Sequence, residues 1–110
     1  TVAALLKQGA TPKGRAEIAE KSGISETLIL EWVNHADLFR IKGVGEEYAD
    51  LLEEAGVDTV VELGKRNPEN LYQAMVETNQ KKKLVRQLPT SKQVKDWVAQ
   101  AKLLPRAVSY

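Results

Sequence analysis

The chain has no cysteine, one methionine and one histidine, His35, among its 110 residues. Missing thiols remove disulfide staples and thiol nucleophiles and point to a reducing cytoplasm as the compartment. A lone histidine, with no cysteine and no carboxylate pair at ligand spacing, leaves no metal set. No serine or lysine has a visible base and orienting partner. The expectation is a protein that is not an enzyme and holds no metal, cofactor or small-molecule substrate. No unbroken apolar run approaches the roughly 18 residues of a membrane span, and no signal-peptide pattern opens the chain. Alternating strand patterns are missing too.

What is present is a 43% hydrophobic composition supplied mainly by Leu, Val, Ile and Ala, enough for the core of one small helical domain. The net charge of +1 conceals two unlike halves. Residues 1–75 hold eight Lys and Arg against thirteen Asp and Glu, a balance of −5; residues 76–110 hold eight against two, a balance of +6. Such a chain either folds so that its two ends attract each other or turns a basic face to a partner.

Residues 38–57 organise the rest as a helix-hairpin-helix. Leu38 and Ile41 lie three apart on a short helix, and Gly43 supplies the left-handed residue that stops it. Val44 turns inward within the hairpin Lys42, Gly43, Val44 and Gly45. From Gly45 a second helix starts, with Tyr48, Ala49, Leu51, Leu52 and Ala55 at helical spacing until Gly56.

Elsewhere, punctuation marks further helices. Val2, Leu5 and Leu6 recur at helical spacing before Gly9. Thr11-Pro12 combines a capping hydroxyl with proline at the first helical position, and Gly23 ends that helix. Ser25 caps the next, with Leu28, Ile29, Trp32, Val33 and Ala36 inward. Residues 59–66 form a helix with Val60, Val61 and Leu63 inward, and Asn67-Pro68 repeats the cap-plus-proline start, with Leu71, Ala74, Met75 and Tyr72 toward the core. Residues 80–87 read as a separate charged helix closed by Leu88-Pro89. Thr90 or Ser91 caps the last, carrying Val94, Trp97, Val98 and Ala101, with Pro105 beyond it. The terminal Tyr110 offers no signal.

The chain also repeats itself. Residues 1–8 match 59–66, Thr11-Pro12 matches Asn67-Pro68 fifty-six positions on, and Trp32-Val33 matches Trp97-Val98 sixty-five positions on. The matching tryptophans are expected to anchor the core. The fold expected is all-α: one compact bundle of short helices over residues 1–110, with repeat one at 1–37, lacking its hairpin, and repeat two at 38–110. By that reckoning roughly twenty residues resembling 41–57 are expected to precede Thr1.

Three runs carry a family resemblance: residues 11–21, residues 30–38, and Gly43-Val44-Gly45. They resemble the uncharacterised bacterial family called domain of unknown function 4332 over essentially the whole chain. The resemblance implies paired helix-hairpin-helix units of the kind found in DNA repair proteins and recombinases, and brings no activity with it.

Helix-hairpin-helix DNA binders grip a phosphate with the amides of the turn and the following helix start. Here Glu46 and Glu47 occupy that start and repel an anion, with Arg40 and Lys42 as partial compensation. Residues 18–32 have helix-turn-helix spacing, but the second helix offers Glu26, Glu31 and Asn34 with no Lys or Arg, which argues against groove reading. The best polyanion candidates are Arg40, Lys42, Lys81, Lys82, Lys83 and Arg86, although no aromatics interleave them for base stacking. Two functions follow. One is protein binding or assembly, with another protein or a second copy docking on Val2, Leu5 and Leu6. The other is sequence-non-specific duplex DNA binding through the hairpin amides and the tract from Lys81 to Arg86.

Overall fold

A computed structural model describes residues 2–110. Among the described residues there are seven helices and no strand: α1 (Val2–Gly9), α2 (Pro12–Ser22), α3 (Glu26–Leu38), α4 (Glu46–Glu54), α5 (Val60–Lys65), α6 (Pro68–Lys82) and α7 (Ser91–Leu103). Thr1, the first residue of the repeated octapeptide, lies outside them.

Local chemistry sets most helix starts. The side chains of Thr11, Ser25, Thr59, Asn67 and Thr90 each accept from a backbone amide in the first turn of the helix that follows. Pro12 and Pro68 open α2 and α6, where their missing N–H costs nothing. Thr90 and Gln93 cap reciprocally, the Thr90 amide donating to Gln93 Oε1 at 2.8 Å and the Gln93 amide to Thr90 Oγ1 at 3.1 Å. Between α1 and α2 the backbones approach so closely that a Cβ on Gly14 would meet the Gln8 carbonyl oxygen at 1.9 Å.

α3 is the spine. Its early residues Ile29 and Val33 join Val108 in a small core against Leu5, Leu6 and Ile18. Its last residue, Leu38, belongs to the larger core with Ile41, Leu51, Leu52, Leu63, Leu71, Met75 and Trp97. Two cores strung along one helix give a molecule 41 × 30 × 21 Å with a radius of gyration of 14.1 Å, slightly above the roughly 13 Å of a compact chain this long.

Four expectations need correction. Residues 80–87 are not a separate helix: α6 runs on to Lys82, Lys83 turns left-handed at φ 51°, and Asn79 closes the bend by donating to the Val85 carbonyl and accepting from its amide. The short helix before Gly43 is the end of α3 followed by turns, so it does not stand alone. Trp97 is 1% exposed, but Trp32 is 42% exposed and anchors nothing. Tyr110 is far from idle, since its hydroxyl donates to Asn34 Oδ1 at 3.2 Å.

That last contact belongs to a returning tail. After α7 the chain runs back to the first three helices, where the Ser109 amide donates to the Ala10 carbonyl at 2.7 Å. Buried Arg15 straps it down, donating to the carbonyls of Gly9 at 2.8 Å and Ser109 at 2.7 Å.

Candidate functional site

The turn between α3 and α4 is built from its backbone outward. The Arg40 amide donates to the Asp37 carbonyl, Ile41 to Leu38 and Val44 to Ile41, at 3.1, 3.1 and 3.2 Å. Ile41 and Val44 are buried and pin the turn to the larger core. Gly43 has φ +96°, and a Cβ there would lie 3.0 Å from the Trp97 indole nitrogen. Gln100 of α7 clamps the same turn, accepting from the Lys42 amide at 2.9 Å and donating to its carbonyl at 3.2 Å. Gly45 caps α4 without a side chain.

A cleft of about 500 Å³ opens beside this turn, lined by Gly43, Gly45, Glu46, Glu47, Tyr48, Arg86 and Gln87. Tyr48 holds its far wall, its hydroxyl donating to the Gln87 carbonyl at 3.1 Å while its ring lies tilted at 52° against Trp97, centroids 5.3 Å apart. The first turn of α4 is therefore flanked by two carboxylates and one guanidinium.

The candidate cations do not converge. Arg40 donates to Asp37 Oδ1 and to the Pro105 carbonyl, both at 2.8 Å, and is a structural tie. Lys82 pairs with Glu54 at the far end of α4. Arg86 shares the cleft with Glu46 and Glu47 at the near end. The two ends of this nine-residue helix stand roughly 12 Å apart at 1.5 Å per residue. Lys82 at the end of α6 and Arg86 just after it thus stand at opposite ends of the acidic helix α4. Lys42, Lys81 and Lys83 remain exposed. Of the candidate interface residues, Val2 is exposed, while Leu5 and Leu6 are half-buried against the smaller core.

Sequence reasoning missed two features. Asp37, 1% exposed, accepts from the Val60 amide at 2.9 Å with the oxygen not used by Arg40, tying the end of α3 to the start of α5. Nothing in its sequence context marks it. The second is the outward face of α3, where Leu28 is 38% and Trp32 42% exposed, one helical turn apart. Glu31 and His35 continue that face. His35 meets two carboxylates that local spacing hides, Asp50 at 3.6 Å through Nδ1 and Glu53 through Nε2. Because they engage opposite ring nitrogens, they form no convergent donor set, and no group of three such residues among those described could hold a metal ion. Close by, Asp58 is pushed above its ordinary carboxyl range by burial, then by Glu62, Glu53 and Glu31, with His35 opposing. Tyr110 is raised as well, by burial and then by Glu62 and Asp58.

A model of the family described as domain of unknown function DUF4332 matches residues 1–104. The chain belongs to that family. The DUF4332 match spans all seven helices, the larger core, the turn and its cleft, and leaves out the returning tail from residue 105 with Val108 of the smaller core. No solved structure matches the chain. No helix among the described residues is long and apolar enough to cross a membrane.

Proposed function

We propose that this DUF4332 chain is a non-enzymatic cytoplasmic module that binds another protein, built from two helix-hairpin-helix-type repeats. The observation that carries the reading is the placement of two basic residues at the ends of α4, with Lys82 on Glu54 and Arg86 in the cleft of Glu46 and Glu47. A phosphate in that cleft is repelled by the two carboxylates that share it with the turn. The Leu28–Trp32 face offers apolar area of the type that enriches protein interfaces.

Duplex DNA binding is the second reading, favoured by exposed Lys81 and Lys83 and by Arg86 beside the turn. Titration of labelled duplex DNA at low salt, followed by fluorescence anisotropy, separates the two. Protein binding predicts no change even at tens of micromolar protein, where non-specific DNA binders already associate. An anisotropy rise that salt suppresses and Lys81/Lys82/Lys83→Glu removes would establish the DNA reading instead.

A further inference from the structure

We infer that the face of α3 carrying Leu28, Glu31 and Trp32 docks a basic amphipathic helix of a partner protein. The inference rests on the protein-binding reading and gives its partner a chemistry.

The apolar component comes first. Leu28 and Trp32 are a turn apart on α3 and both stand out of the core, forming a ridge of the sort that packs into a facing helix. The chain itself shows how such a tryptophan is covered. Trp97, the sequence counterpart of Trp32, is closed over by Gly43 of the turn and the ring of Tyr48 on α4. Among the described residues Trp32 is left far less covered, at 42% exposure against 1% for Trp97.

Charge selects the occupant. Glu31 lies between Leu28 and Trp32 on the same face, and one turn on His35 meets Asp50 and Glu53. Asp58 and Glu62 extend the negative field; burial first, and then the carboxylates Glu62, Glu53 and Glu31 against the opposing effect of His35, make Asp58 hold its proton more tightly. Of the chain's own cations, Lys82 and Arg86 are placed at the two ends of α4 and Arg40 is tied to Asp37, while Lys65 and Arg106 line a cavity with Glu62 and offset part of its charge, which leaves Glu31 as the carboxylate on the ridge itself. An incoming helix with Leu or Phe on one stripe and Lys or Arg beside it covers the ridge and neutralises the carboxylates together.

The test uses the full chain and a synthetic peptide of leucine and lysine at helical spacing, about 18 residues long so that it folds. Binding is read from the emission of Trp32, with Trp97 as a buried constant background. The expected result is a blue shift on binding and an affinity at least roughly tenfold lower for Leu28→Ser/Trp32→Ser, read for that variant by anisotropy of labelled peptide. Glu31→Gln/Asp58→Asn should weaken binding several-fold and flatten its salt dependence. Both variants alter exposed or half-buried positions, and circular dichroism verifies that each is folded. Equal affinity of wild type and Leu28→Ser/Trp32→Ser would overturn the inference, as would equal binding of a lysine peptide without leucine. Sedimentation showing self-association that Leu28→Ser/Trp32→Ser abolishes would overturn it in favour of a second copy as occupant. Failure of the protein-binding reading has a different signature, salt-sensitive duplex DNA binding that the Leu28→Ser/Trp32→Ser change leaves intact.

Discussion

Asp37, buried at the end of α3, ties three parts of the chain together through one side chain. One oxygen meets the amide that opens α5, the other meets Arg40, and Arg40 reaches on to Pro105. Removing the carboxylate strands a buried N–H and a partly buried guanidinium together. Asp37→Ala should therefore cost about 2–4 kcal/mol, read as a lower urea midpoint with an unchanged slope. Asp58 behaves oppositely. Its raised proton affinity means the folded chain disfavours its charge, so the stability linked to this group is full below its ordinary value of 3.8 and declines as pH rises through the higher folded value. Asp58→Asn should raise the melting temperature at pH 7 by roughly 2–4 °C, and the gain should vanish below about pH 3.8. A gain that persists in acid would mean that the buried Asp58 charge is not its source.

Among elements, the turn between α3 and α4 is the most constrained. Gly43 combines φ +96° with a Cβ position 3.0 Å from the Trp97 indole nitrogen, so a side chain there meets backbone strain and a packed ring at once. Gly43→Ala should destabilise by about 1–3 kcal/mol and shift Trp97 emission to the red, whereas a blue-shifted or unchanged spectrum would show that the ring is held from elsewhere. This turn was legible in the sequence, as were the caps at Thr11, Ser25, Asn67 and Thr90, because glycine, proline and capping side chains act within a few residues of themselves. The bend after α6 was not. Lys83 takes a left-handed conformation without being glycine, and Asn79 supports it across six residues through both polar atoms of its amide. Trp32 was misjudged for a similar reason. Helical spacing places it on a face, but burial depends on whether another element arrives there, and only Trp97 received one. The outward face of α3 was therefore hidden inside a pattern that reads as core.

For the whole molecule, the two charge halves of the sequence meet at the ends of α4. Lys82, closing α6, pairs with Glu54, Arg86 shares the cleft of Glu46 and Glu47, and the tail strapped by Arg15 closes the last residues onto the first three helices. The sum of charges is visible in the sequence. Its distribution depends on long-range packing, which no window of residues contains. This distribution leaves Lys81, Lys82, Lys83 and Arg86 all exposed and places Glu46 and Glu47 at the helix start where a phosphate grip would form. On the protein-binding proposal, the carboxylates, rather than any fault in the turn, disfavour a phosphate here. Duplex DNA anisotropy at low salt, comparing the wild type with Glu46→Lys/Glu47→Lys, tests this directly. The account predicts no binding by the wild type and salt-sensitive binding by the variant; tight, salt-sensitive binding by the wild type, unimproved by the two lysines, would contradict it.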